Sequence, residues 1–246
     1  MTNMEKEVIL GLPVAVATLD EIIAELPGRL QQDEKTLYLS INPQIALHAH
    51  KYPDIGELAN RATYGIADGI GIVKASKQQG GKIKERVTGI DLMCRLLAFA
   101  NETKESIFLY GAKPEVLEDT VKAITRDYPN VEISGSIDGY TTLSGEQVAA
   151  EISKVKPTFV FVALGFPRQE QWLAEHYEKC DATVFQDVGG SFDVISGHVK
   201  RAPDFFIKCR LEWLYRSLSS PKRLYRIAEL PLFMFQAKKW HKANVK

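Results

Sequence analysis

The feature that most constrains this chain is the alternation of short apolar runs with longer amphipathic ones. Residues 159–164 are continuously apolar, as a strand covered on both faces must be. Thr36–Ile41, Tyr64–Ala67 and residues 106–110, 131–137 and 182–188 also read as strands. Helical stretches fall between them at residues 44–51, 88–100, 114–128, 144–155 and 169–177. Thr88 caps the second of these, with Asp91 where a capping box would carry Glu. Ahead of them, residues 8–16 form a strand or short hairpin, and residues 19–30 a helix capped by Thr18 or Asp20. This order predicts an α/β fold: a Rossmann-like, mainly parallel sheet with helices on both faces. A chain of 246 residues, 45% hydrophobic and 25% charged, can bury enough surface to hold such a body without disulfides or metals.

Charge is distributed unevenly. The totals balance at 31 basic and 31 acidic residues, yet residues 198–246 hold twelve Lys/Arg against three Asp/Glu. The same segment carries eight of the chain's aromatics, among them Trp213, Phe233, Phe235 and Trp240. The division expected is an α/β body over 1–197 and a basic, aromatic, helical appendage over 198–246, with the body able to fold alone. Cationic and aromatic residues together, without an apolar run of about 20 residues, suit a surface lying on an anionic membrane. A helical pair simply packed on the body is the plainer reading. Nucleic-acid binding through the same tail is a third, and runs such as Leu211–Leu214 argue against it. The three cysteines, Cys94, Cys180 and Cys209, form no CxxC and indicate a reducing, cytoplasmic compartment. The N-terminus, with Glu5, Lys6 and Glu7, does not read as a signal peptide.

In a doubly wound sheet the ligand lies beyond the carboxyl ends of the strands, and there the sequence gathers polar residues and glycines. Asn42, Asp68, Gly69, Gly111, Arg168, Gln169, Gly189 and Gly190 all follow expected strands, and Ser40 sits at the end of the strand Thr36–Ile41. Asp68 is either a general base or an Asx turn. Arg86, ahead of the Thr88-capped helix, suits a diphosphate or a surface ion pair. Arg168 and Gln169 either bind sugar or phosphate or cap a helix.

Several chemistries are excluded by what is missing. Gly69-Ile-Gly71 lacks the third glycine of a dinucleotide fingerprint, and no P-loop or Gly-x-Ser-x-Gly occurs. No Asp-x-Asp occurs, and neither the five histidines nor the Asp187/Asp193 pair shows metal-ligand spacing, so neither metal nor cofactor is expected.

The ordered motifs Ser40-Ile-Asn42-Pro43, Ala67-Asp68-Gly69-Ile-Gly71, Arg86-Val-Thr-Gly-Ile-Asp91, Leu164-Gly-Phe-Pro-Arg-Gln169-Glu and Asp187-Val-Gly-Gly-Ser-Phe-Asp193 resemble the WecG/TagA/CpsF glycosyltransferase family. The resemblance runs from about residue 9 into the basic tail. It implies an inverting, metal-independent transferase on the inner face of the cell membrane. TagA-like members move N-acetylmannosamine from its UDP donor to N-acetylglucosamine on undecaprenyl diphosphate, building the linkage unit of wall teichoic acid. A related uronate donor, or a non-catalytic sugar-nucleotide binding protein, is the alternative. The resemblance also implies roles: Asp68 as base; Arg86, Arg216, Arg223 and Arg226 on the departing diphosphate; Ser40, Asn42 and Gln169 on the sugar. Gly69, Thr88, Gly111, Arg168, Gly189 and Gly190 complete the expected binding set. The expected partners are the UDP-sugar, the lipid-linked acceptor and an anionic membrane, with no nucleic acid and with room for a homo-oligomer.

Overall fold

The computed structural model describes residues 4–200, 202–203 and 225–244. It opens with an antiparallel hairpin, β1 (Lys6–Ile9) and β2 (Leu12–Ala15), which leads into helix α1 (Leu19–Gln31). Thr18 is the N-cap of α1, accepting from Glu21 N–H while the Glu21 carboxylate takes the Thr18 N–H, a complete capping box. The body is then built from β3 (Thr36–Ile41), α2 (Pro43–His48), α3 (Pro53–Arg61), β4 (Tyr64–Ala67), α4 (Ile70–Gln78), α5 (Gly89–Thr103), β5 (Ser106–Gly111), α6 (Pro114–Asp127), β6 (Glu132–Ile137), α7 (Gly145–Val155), β7 (Phe159–Ala163), α8 (Arg168–His176), β8 (Val184–Asp187) and α9 (Ser191–Ile195). Helix α10 (Tyr225–Asn244) ends the described chain.

The six strands β3–β8 form one sheet in the order β4-β3-β8-β7-β5-β6, and every neighbouring pair is parallel. Alternate residues of each strand feed opposite layers of core. On β7, Phe159 and Phe161 join Tyr38, Leu96 and Val184 on one face, whereas Val160 and Val162 join Leu39, Ile72 and Phe185 on the other. Both faces are covered by helices, which is why the strands read as continuous apolar runs. Residues 70–78, between the Gly69/Gly71 turn and the next expected helix, are also helical (α4), as are residues 53–61 (α3).

The C-terminal helix belongs to this core. Phe233 and Ala237 of α10 are fully buried, in the same apolar cluster as Ile45, Ile72 and Val73. Gly71 makes the approach possible, since a Cβ there would stand 2.6 Å from Pro43 Cγ and 2.8 Å from Leu230 Cδ1. His48 Nε2 meets Glu229 Oε1 at 3.0 Å, and Gln79 Nε2 donates to the Ala237 carbonyl at 3.3 Å. The opposite side of α10 leaves Leu232, Phe235, Lys238 and Lys239 exposed. Among the described residues no helix is long and apolar enough to cross a membrane. Arg216 and Arg223 lie outside the described residues, and Arg226 is described only as part of the α10 backbone.

Candidate active site

A cavity of about 360 Å³ opens beyond the carboxyl ends of the four contiguous strands β4, β3, β8 and β7. Each strand delivers its last residues to the wall and then turns into a helix, so first turns of helices ring the space. Asn42 and Pro43 come from α2, Gly69 and Ile70 from α4, Gly89 and Ile90 from α5, Gln169 and Glu170 from α8, and Gly190 and Ser191 from α9. Helix N-termini carry unpaired N–H groups and partial positive charge, which favours an anion. Arg86 adds a full charge, and among the described residues it is the only cationic side chain in the lining. Glu229 and Leu230 of α10 complete the wall.

The strand-end residues hold their places through local chemistry. Asn42 caps α2, its Oδ1 accepting from Ile45 N–H at 2.9 Å, with Pro43 in the first turn where no N–H is needed. Asp68 is half-buried at the end of β4. Its backbone N–H is shared by the Ile41 carbonyl at 3.0 Å and the Ile66 carbonyl at 2.8 Å, which ties the β4 end to the β3 end. Gly69 follows at φ +114°, a conformation side chains resist. Thr88 caps α5, accepting from Asp91 N–H at 3.1 Å and donating to Asp91 Oδ2 at 2.6 Å, so both members of that expected pair are engaged with each other.

At the floor, Gln169 and Asp187 meet Glu170, a residue to which the sequence motifs assign no role. Glu170 and Asp187 are 0% and 1% exposed, and Gln169 between them is 4% exposed. Gln169 Nε2 donates to Glu170 Oε1 at 3.0 Å and to Asp187 Oδ2 at 3.1 Å, while its Oε1 accepts the N–H groups of Gly165 and Gly189, both at 3.1 Å. The carboxamide has two hydrogens and two lone pairs, and all four are used within the protein. Gln169 therefore organises the floor: it ties the loop after β7 to the loop after β8. Asp187 in turn accepts the Ser40 N–H at 2.7 Å and a hydrogen bond from the Ser40 side chain. Burial pushes the Glu170 carboxyl up to about 7. Burial first, and then the neighbouring Glu170, raise Asp187 well above the usual carboxylate range.

Of the expected residues, Ser40, Asn42, Asp68, Gly69, Arg86, Thr88, Gln169, Gly189 and Gly190 line the one cavity. Gly111 and Arg168 do not. Gly111, at φ +123°, is fixed by the sheet: a Cβ would stand 2.4 Å from both the carbonyl carbon and oxygen of Ala163 on the paired strand. Arg168 is exposed and donates to the Gly139 carbonyl at 3.0 Å. The pair Asp187/Asp193 is split, with Asp187 buried in the cavity lining and Asp193 in α9 outside it. Among the described residues no three His, Cys, Asp or Glu side chains cluster as a metal cage would.

This geometry can hold an anionic ligand against helix N-termini and Arg86, with a carboxylate, Asp68, facing it. Comparison with known proteins agrees in kind. The chain is 38% identical over 217 residues to N-acetylglucosaminyldiphosphoundecaprenol N-acetyl-beta-D-mannosaminyltransferase of Bacillus spizizenii strain W23, covering 88% of this chain and 84% of that protein. It is 35% identical over 240 residues to the Staphylococcus aureus (strain MW2) protein of the same name, covering 97% of this chain and 94% of that one. Residues 7–245 match the description of one glycosyl transferase family along almost their whole length, motifs and C-terminal helix included, and so the chain belongs to the WecG/TagA/CpsF family.

Proposed function

We propose that this chain transfers N-acetylmannosamine from UDP to N-acetylglucosamine carried on undecaprenyl diphosphate, with inversion at the anomeric carbon and no metal. The supporting observation is the single cavity that brings Asp68, Arg86 and several helix N-termini together beyond four adjacent strands. The names of its relatives support the acceptor and the sugar. In the reaction an acceptor hydroxyl oxygen bonds to the anomeric carbon as the bond from that carbon to the β-phosphate oxygen breaks. The hydroxyl proton goes to Asp68, and the electron pair leaves with UDP. A hydroxyl is a poor nucleophile near neutrality, so a general base contributes about 10²–10⁴-fold. Arg86 and the N–H groups of α5 stabilise the charge growing on the diphosphate, a kind of contact for which losing one donor costs about 3–4 kcal/mol.

The acceptor is tethered to lipid, so the enzyme works at a membrane. The exposed side of α10, with Leu232, Phe235, Lys238 and Lys239, suits contact with an anionic surface from the cytoplasmic side. Arg216, Arg223 and Arg226 remain candidates for the UDP phosphates.

The test is to incubate the full chain with UDP-N-acetylmannosamine and a short-chain lipid-diphosphate N-acetylglucosamine acceptor, with and without EDTA, and to detect the disaccharide by mass spectrometry. Product in both arms is expected. Product only from another UDP-sugar would overturn the donor, and EDTA-sensitive turnover would overturn the metal-free step. UDP-sugar binding with no transfer would leave a non-catalytic binding protein.

A further inference from the structure

Asp187 and Glu170 are two acids joined by one amide and closed off from solvent, but their surroundings differ. Asp187 receives the Ser40 N–H, the Ser40 side chain and Gln169 Nε2. Glu170 receives Gln169 Nε2 and its own backbone N–H, and its Oε2 has no hydrogen-bond partner among the described residues. Two charges are not easily held this close in a dry site, so the pair keeps one proton up to about pH 7. Burial alone would protonate Asp187 first, but its Ser40 and Gln169 donors, set against the unpartnered Glu170 Oε2, reverse that order and put the charge on Asp187 and the proton on Glu170.

This asymmetry has two effects on the cavity. An ionised Asp187 makes Ser40 a donor toward it, which leaves the Ser40 lone pairs to accept from a ligand hydroxyl. A neutral Glu170 also spares the floor a second negative charge, where an entering diphosphate finds only Arg86 as a described cationic side chain.

We propose that Glu170 is a positioning residue of the transfer reaction: kept neutral, it leaves the single charge of the pair on Asp187, which holds Ser40 toward the nucleotide-sugar while Gln169 fixes the loops at Gly165 and Gly189. The inference rests on the glycosyl-transfer reading above.

The other charged groups around Glu170 can be placed. Asp68 and Arg86 line the same cavity, as does Glu229 of α10, which is paired with His48. Helices α3 and α7 pack on α8. On α3, Arg61 is turned to the far end of α8, bonded to the Ala174 carbonyl and Glu178, and Glu57 is exposed. On α7, Glu146 acts on His176, which lies further along α8. The His48–Glu229 contact is common to wild type and Glu170→Gln, so a difference between the two proteins isolates the Glu170 carboxyl.

The experiment compares wild type, Glu170→Gln and Asp187→Asn at pH values on both sides of about 7. The first arm needs no turnover. A carboxyl raised in the folded state weakens that state above its unfolded value, progressively until the folded value is passed. The melting temperature of Glu170→Gln minus that of wild type is thus expected to grow from pH 4.5 to about 7 and then level. The second arm measures Kd for UDP and KM for the nucleotide-sugar. Both are expected to rise in wild type by up to about tenfold over the pH unit above the transition, and to lose that rise in Glu170→Gln. Asp187→Asn presents a second NH2 to Gln169 and is expected to lower kcat/KM by about 10²-fold.

A melting difference that is flat with pH overturns the neutral Glu170. A difference that bends as expected, with identical pH profiles for UDP affinity and KM in wild type and Glu170→Gln, overturns the positioning role. A bend in both melting and UDP affinity without sugar transfer sustains the proton-bearing Glu170 and refutes the glycosyl-transfer reading instead.

Discussion

Replacing Phe233 by alanine tests whether the C-terminal helix is part of the cooperative body. Phe233 is fully buried between α2 and α4, with Cε1 3.5 Å from where a Gly71 Cβ would stand. A phenylalanine buries on the order of 150–250 Å², and at about 25 cal/mol per Å² that is worth about 4–6 kcal/mol. The denatured chain already shields part of that area, so the figure is an upper bound, and core Phe→Ala changes cost about 3–5 kcal/mol. In a chain this long, 1 kcal/mol moves the midpoint by about 2–4 °C, so Phe233→Ala should melt about 6–20 °C below wild type. Phe235, two residues on, is 68% exposed and provides the control. Phe235→Ala should stay within about 0.5 kcal/mol of wild type. Thermal melts followed by far-UV circular dichroism and by tryptophan fluorescence read both changes. If Phe233→Ala melts like Phe235→Ala, α10 docks as a separate unit, and the expectation that residues 1–197 fold alone stands. A large shift instead means that truncation at 198 exposes core.

Asp68→Asn should lower turnover by about 10²–10⁴-fold with UDP affinity unchanged; retention of more than a tenth of the rate would reduce Asp68 to a turn residue. Gly111→Ala should destabilise by at least about 1–3 kcal/mol, because the new Cβ meets the Ala163 backbone at 2.4 Å; an unchanged melt would refute the close strand approach. Lys238→Ala with Lys239→Ala should remove about 1 kcal/mol of attraction per residue to phosphatidylglycerol vesicles at low salt, roughly thirtyfold in binding, and leave turnover on a soluble acceptor alone. Vesicle co-sedimentation checks it, and unchanged binding would move the membrane contact off this side of α10.

The sheet was legible because its strands are short and apolar on both faces, so that residues 159–164 needed no context. Helix α4 was not, because it opens on Gly69-Ile-Gly71 and glycines at a helix start look like a turn. Here the second glycine is small for a tertiary reason, the approach of Pro43 and Leu230. The floor of the cavity was harder still. Arg168-Gln169-Glu170 reads as a polar helix start, and only the arrival of β8 beneath α8 buries two of the three. A signal was nevertheless present: Gln169, Trp172, Leu173 and His176 recur at helical spacing, as do Glu170, Leu173 and Tyr177, and all of them are buried. That periodicity sets Gln169 and Glu170 inward. The contribution of Glu229 and Leu230 could not be read at all, since it depends on where a distant helix docks.

Synthesis delivers these strands in an order the sheet does not follow. β3 and β4 leave the ribosome first and β5, β6 and β7 next, yet the strand that joins the two groups, β8, comes last. Until Val184–Asp187 emerge, the nascent chain can form only two separate ribbons, each with an open apolar edge of the kind that invites mispairing. At about 5–20 residues per second, that interval lasts on the order of ten seconds. A ribosome stalled before β8 is therefore expected to release a fragment with both of these edges unpaired and prone to aggregate. Asp187 is the final residue of the joining strand, so the event that welds the ribbons is also the one that lays the floor beneath the cavity.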